Sequence, residues 1–519
     1  GFTGTFDIGG GVNHVTVKFT QAYDLSGAVI AMRSGNGDIL QLGGDVTVGD
    51  FSFGGTTVAP GTYTLAQLNG LYGTGSQFTG AGSLTIGSSV ASAYYSDSIN
   101  GSESNPGTQA LPWQSISPTS KINTLYFQPG DRLFFKRGCS WTGMIELHGP
   151  GGSSTAPITI GAYGPATDPA PVINGNGADA AILLWTKSYV TVRDLDIMNW
   201  PTTQATLCGI RINYVGQNGT FSGIKILNNK IHDVYGISNR DAGQYNNAAI
   251  YVDVMDNGSG TRLKYDSLLI EGNDVYNTTC IGLYAKSAPY SSQSHPEWWA
   301  TNVVIRNNTF DQMGADDLVL NGMDAPLVEY NAGYDAGVNG SGYRAIAGMW
   351  TCYYTRETVF QFNEVARTRN EFNYAANGDG QAFDVDYGTI GNHTFQYNYT
   401  HDNAGGILIV MPKKDATSVD LPKAVVYRYN LSVNDGRNTS SASQFPAFPV
   451  LGTSSLNVYN NTIYTDRPEG LKFVNNNASY FTNNIFYAPA AIYPSNPWFS
   501  NNCYYNHVPD VTDAYKIVA

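Results

Sequence analysis

Three aspartates fall within eight residues of this chain, in the stretch Asp379-Gly380-Gln381-Ala382-Phe383-Asp384-Val385-Asp386. Paired carboxyl groups are what acid–base and nucleophilic cleavage of a glycosidic bond requires. One carboxyl protonates the leaving oxygen; the other acts as nucleophile or activates water. If residues 383–386 form a strand, Phe383 and Val385 share one face and Asp384 and Asp386 the other, with the acids about 7 Å apart. Gly378 and Gly380 flank Asp379 and let its turn fold close. Crowding of like charges raises one pKa and so supplies the protonated acid. The expected roles are Asp386 as nucleophile or base and Asp379 or Asp384 as acid/base, the leading pair being Asp386 and Asp379 with Asp384 assisting. This chemistry requires no cofactor. Three Asp so close together also suit a calcium ion, which is the competing reading of the cluster.

Other segments share the pattern of Phe383-Asp384-Val385-Asp386. They are Ile250-Tyr251-Val252-Asp253, Leu283-Tyr284-Ala285-Lys286, Leu318-Val319-Leu320-Asn321, Ile346-Ala347-Gly348-Met349 and Ile407-Leu408-Ile409-Val410. Strand alternation sends the first and third residue of each inward, leaving Tyr251, Asp253, Tyr284, Lys286, Asn321, Asp384 and Asp386 facing out. Such a stripe suits a sugar-binding groove. Tyr290 and His295-Pro296-Glu297-Trp298-Trp299 follow Lys286 in an insertion, and Trp350, Tyr353 and Tyr354 follow a later strand. Aromatic faces stack on sugar rings, so Trp298, Trp299 and Trp350 join the expected binding set. His401 and Asp402 are expected to orient the acid or hold a hydroxyl. Asp316-Asp317 are weaker carboxylates of the same face. Lys286 and Arg344 support a different chemistry: with calcium on the Asp cluster, a desolvated Lys or an Arg would serve as the base of a uronate lyase.

A repeat positions these groups. An apolar residue, two variable positions and an Asn recur at Ile226–Asn229, Ile270–Asn273, Ile305–Asn308, Val328–Asn331, Phe360–Asn363, Phe395–Asn398, Tyr427–Asn430, Val458–Asn461, Phe481–Asn484 and Phe499–Asn502. Unequal spacing with constant register is the signature of a solenoid with loop insertions, its short strands stacking in parallel. Asn suits the corner because it tolerates a left-handed turn and its amide can bond the Asn one coil away. The solenoid is expected over residues 93–519. Residues 1–92, rich in Gly and Thr and almost without Asn turns, read as a small all-β module: cap, spacer or accessory.

Composition agrees. Of the 519 residues 58 are Gly and 35 Tyr, and only 13% are charged, which suits many short strands and turns rather than helical bundles. The net charge of −13 disfavours nucleic acid and anionic lipid as partners. No apolar run is long enough for a membrane helix, so no membrane insertion is expected. Five widely spaced cysteines exclude a dense disulfide framework and read mainly as buried small residues. Few charges with many Asn, Gly and Tyr point to an extracellular or cell-surface protein. The start at Gly1 reads as a processed or shortened form.

The entry segment Tyr94-Tyr95-Ser96-Asp97, Pro129-Gly130-Asp131, Phe134-Phe135-Lys136-Arg137-Gly138 and Ile160-Gly161-Ala162-Tyr163-Gly164 resemble the start of bacterial right-handed parallel β-helix proteins of the pectate-lyase-like superfamily. The Asp379–Asp386 stretch, Gln396-Tyr397-Asn398-Tyr399-Thr400-His401-Asp402-Asn403 and Gly405-Gly406 resemble its glycoside-hydrolase subset. The resemblance implies a right-handed parallel β-helix that binds a carbohydrate chain, and some glycosidases of that kind use paired Asp on the helix face. Fold alone leaves activity open. The leading expectation is a secreted glycoside hydrolase. The alternatives are a calcium-dependent polysaccharide lyase and a non-catalytic adhesin or self-associating filament protein.

Overall fold

The computed structural model describes residues 5–8, 16–32, 37–58, 61–72, 77–86, 91–215, 219–239, 242–254, 263–287, 296–340, 346–369, 380–411, 423–436, 448, 455–468, 470–473, 479–492 and 498–519. The chain forms two compact units: Gly1–Ser92 with Gln128–Gly130, and Ala93–Phe127 with Asp131–Ala519.

The larger unit is a right-handed parallel β-helix. Its faces are three parallel sheets of 15, 14 and 9 strands. One coil runs through Lys225–Leu227, Lys230–Val234 and Ala248–Val254, and the next through Leu269–Glu271, Asp274–Tyr276 and Ile281–Lys286. Each strand pairs in parallel with its counterpart one coil on. Right-handed winding is what twisted strands joined by parallel crossovers impose. One continuous apolar core fills the coil, from Trp113 to Tyr504.

The repeated Asn is buried at the corner between the first and second sheets. The Asn331 amide nitrogen donates to Asn363 Oδ1 at 3.1 Å and to the Ile305 carbonyl at 2.9 Å, while its own Oδ1 accepts from Asn308. The same pattern links Asn229 through Asn502. The left-handed turn falls one residue earlier, at Asn228, Asn307, Tyr330, Phe362, Tyr397 and Tyr429. The two properties that make Asn suitable are thus divided between neighbours: the ladder Asn supplies the amide, and the residue before it takes the turn.

The three-residue strands of the second sheet, such as Asp274–Tyr276, are not legible in the repeat. The Tyr251, Tyr284 and Asp384 segments belong to the third sheet. In that sheet alternation breaks at the entry, where two consecutive residues face the core: Ala181 and Ile182, Ala249 and Ile250, Ala382 and Phe383. The first of each of these pairs is small, although Ile407 takes the same position before Leu408. A Cβ on Gly282 would lie 2.6 Å from the Asp317 carbonyl oxygen and 2.7 Å from the Phe310 ring.

Asp317 takes that small-residue position. It faces inward, not toward the outer face expected for it. It is fully buried, and among the described residues neither carboxylate oxygen has a hydrogen-bond partner. Burial, then repulsion from Asp316, Asp311 and Asp335, pushes its pKa well above the carboxylate range. Folding therefore takes up a proton. The resulting penalty is absent below the ordinary carboxylate pKa and grows as pH rises toward the folded value, by at most about 1.4 kcal/mol per pH unit. Asp317→Ala, matching Ala249 and Ala382, is expected to raise Tm, and more at pH 8 than at pH 4.5. Thermal melts at the two pH values check this; equal gains would refute the proton uptake.

The smaller unit is itself mostly parallel. Thr5–Ile8, Tyr23–Met32, Val46–Phe53 and Ser83–Ile86 lie side by side in one sheet, and Thr16–Phe19, Ile39–Leu42 and Phe78–Gly80 in a second. A helix spans Leu65–Tyr72. Ile30, Leu40, Val48, Phe51, Leu68 and Leu84 are among the residues of its own core. Among the described residues no disulfide joins the five cysteines, four of which are buried.

Candidate active site

The outer face of the third sheet gathers most of the chemistry-bearing residues. In Gln381–Val385, Phe383 and Val385 enter the core while Asp384 faces away from it. The Asp386 amide continues the ladder by donating to the Thr351 carbonyl at 2.9 Å, which puts Asp386 on the outer face beside Asp384. Trp350 is the register partner of Asp384. Gly380 holds φ at +105°, and a Cβ on Gly405 would come within 2.6 Å of the Gly380 carbonyl carbon. The turn before the strand therefore requires glycine on two coils. Asp379 and Arg344 lie outside the described residues, as do Tyr290 and His295.

The face is less open than an exposed groove. Asp384 and Asp386 are 8% and 9% exposed, and Tyr251, Tyr284 and Trp350 are buried too. These three belong to a second apolar cluster, separate from the coil core, with Cys208, Val319 and Cys352 and with Tyr245 packed against it. Tyr245 lies 6.1 Å from both the Tyr284 and Trp350 rings. A low-dielectric, aromatic-walled setting strengthens charge interactions at a carboxylate pair and excludes bulk water.

Further along the face Lys286 Nζ is 3.0 Å from Asp253 Oδ1, and the Tyr251 hydroxyl donates to Asp253 Oδ2 at 3.1 Å. Arg211 stands over the Tyr251 ring at 5.2 Å. Asn321 follows Lys286 in register, and Cys352 follows Asn321. Arg211 and Tyr245 were not anticipated. Alternation with Ile210 and Ile212 marks Arg211; nothing local marks the short turn Gln244–Asn246.

Several expectations need correction. The frame drawn for two segments slips by one residue partway: Ile407 faces the core and Ala347 faces out as expected, but Leu408, Val410 and Met349 also face the core and Ile409 and Trp350 face out. Trp299 is 1% exposed beneath the Arg356 guanidinium, 4.8 Å from its ring, so it supports structure rather than substrate. Trp298 ends the short helix Pro296–Trp298, half-buried, and its carbonyl accepts from Ser287.

His401 and Asp402 lie at the end of a second-sheet strand, Tyr399–His401, on a different face of the coil. His401 is held between Asp402 and Glu364 at 2.9 and 3.2 Å. His232 repeats the motif: Nδ1 is 2.7 Å from Asp233, Nε2 is 2.7 Å from Asp196, and the ring stacks on Tyr276. For His232, donation from both ring nitrogens to two carboxylates requires the imidazolium. Burial lowers the His232 pKa, but the bonds to Asp196 and Asp233 outweigh it and the net shift is upward. Its stabilisation is full below the ordinary histidine pKa and fades as pH rises through the folded value. His232→Gln should cost on the order of 1 kcal/mol at pH 5.5 and less at pH 9. Denaturant melts at both pH values measure it; a cost that grows with pH would contradict the imidazolium.

Among the described residues no group of three or more His, Cys, Asp or Glu is arranged to hold a metal. The calcium reading turns on Asp379, which is outside them.

A solenoid with two acids and a Trp on one outer face invites comparison with known proteins. The chain resembles a lacto-N-biosidase. It is 27% identical to the lacto-N-biosidase of Bifidobacterium longum subsp. longum over 527 aligned positions, covering 83% of this chain and 32% of that protein. The chain thus spans about a third of the length of the curated relative it matches. The crystal structure of a native GH136 lacto-N-biosidase from Eubacterium ramulus superposes with a TM-score of 0.59 at 23% identity, over 76% of this chain and 67% of that one. Its selenomethionine derivative gives 0.60 at 22%, with the same coverage. The likeness to the crystallised lacto-N-biosidase is one of fold. No protein-family model matches the chain.

Proposed function

We propose that this chain is a secreted glycoside hydrolase acting on an oligosaccharide, with its active site on the outer face of the third sheet around Asp384 and Asp386. The observation that carries the reading is the placement of two acids side by side on that face, beside Trp350, while Phe383 and Val385 anchor the strand in the core. Asp386 is the nucleophile or base and Asp379 the acid/base, with Asp384 assisting. Trp350, Tyr284 and Asn321 line the approach. The likeness to a lacto-N-biosidase supports this reading and suggests a lacto-N-bioside as the first substrate to try.

The lyase reading is the weaker. Lys286, its expected base, has its ammonium committed to Asp253. The test is incubation with an aryl lacto-N-bioside, with neutral oligosaccharides and with polygalacturonate. New reducing ends without absorbance near 235 nm establish hydrolysis. Growth of that absorbance on the acidic polymer would establish elimination and overturn the proposal.

A further inference from the structure

The outer face of the third sheet extends beyond the candidate active site, and its far end has a different character. The column of outward positions that contains Lys286 and Asp253 continues through Asn213 and Trp185 by strand register. Glu146 pairs with Leu183, which continues the column to His148, and an isolated bridge joins His148 to Tyr126. Read along the axis, it runs Tyr126, His148, Trp185, Asn213, Asp253, Lys286. At the rung spacing of about 4.8 Å, Trp185 lies six rungs, about 29 Å, from Asp386.

Two things at this end are not explained by packing. Trp185 and Tyr126 are 41% and 39% exposed, with half-exposed His148 between them, on a sheet whose next rungs are buried. Asn213 is 3% exposed, and among the described residues its Oδ1 accepts no hydrogen bond. A buried acceptor without a donor costs about 1–3 kcal/mol. Beside it the Asp253–Lys286 pair cancels its own charge. An aromatic platform next to an unsatisfied acceptor and a neutral ion pair matches a ligand with apolar ring faces, hydroxyl donors and no net charge.

We infer that Tyr126, His148 and Trp185, with Asn213 at their edge, form a second, non-catalytic binding site for a neutral glycan chain. The platform spans two rung spacings, about 10 Å, or roughly two sugar rings. It shares its face with Asp384 and Asp386, so one long chain can reach both. The inference takes its substrate class from the function proposed above.

The test uses a glycan array carrying neutral and acidic oligosaccharides of two to eight units, probed with the full chain bearing Asp386→Asn. The expected result is binding to longer neutral glycans, weakened at least tenfold by adding Trp185→Ala or Tyr126→Ala and largely kept with Trp185→Phe. Each platform substitution is also made alone, and aryl lacto-N-bioside turnover is recorded as an independent reading of the active site. Loss of array binding with turnover retained supports a separate site. Array binding unchanged by Trp185→Ala, restricted to acidic glycans, or absent while the unsubstituted chain turns over the aryl glycoside, overturns the second site but not the hydrolase. Absence of both overturns the two together.

Discussion

Asp386→Asn is expected to lower hydrolysis of the oligosaccharide substrate by at least about a thousandfold while leaving Tm within a few degrees. The amide keeps the size of the carboxylate but can neither attack nor take a proton. The Asp386 backbone amide, which donates to the Thr351 carbonyl, is unchanged by the substitution. Asp384→Asn removes a neighbouring charge in a largely buried setting, and its effect should be smaller, about ten- to a hundredfold. Initial rates on the same substrate with circular dichroism melts of both variants decide it. Full activity in Asp386→Asn removes that residue from the reaction. Lost activity with lost structure is resolved by Asp386→Glu, which keeps the acid.

The second large effect is structural. Asn331→Ala is expected to cost about 3–5 kcal/mol. The change strands the Asn308 backbone N–H and the Ile305 carbonyl inside the coil, at about 1–3 kcal/mol per unsatisfied group, and removes the side-chain bonds to Asn308 Nδ2 and Asn363 Oδ1, which keep other partners. Asn331→Asp should cost nearly as much, because the Oδ1 acceptor survives while the Nδ2 donor to Ile305 and Asn363 is lost. Equilibrium denaturation of the larger unit gives the number. A cost below about 1 kcal/mol would mean that the ladder follows the coil rather than holding it.

How far the sequence can be read depends on the period of each signal. The Asn ladder is legible because one residue type recurs at one corner, so the coil follows from sequence alone. The second sheet is not, because three-residue strands such as Thr309–Asp311 are too short to show alternation. Alternation places Asp384, Tyr251 and Tyr284 on the correct side of the third sheet but cannot show that other side chains bury them there. It fails at Met349 and Leu408 because the strand entry turns two successive residues inward, a departure from period two that only the small residues Ala249, Gly282 and Ala382 betray. His401 misleads because nearness in sequence to Asp386 suggests nearness in space, whereas the chain turns a corner of the coil between them. The N-terminal unit hides its parallel strands for want of any ladder residue.

The most direct test of the account is a crystal structure of the Asp386→Asn chain soaked with the oligosaccharide it best binds. The account expects a sugar ring against Trp350, with a glycosidic oxygen within hydrogen-bond reach of the acids around Asp384. A sugar bound on another face of the coil, with nothing beside Asp384 and the substituted side chain two residues on, would contradict it.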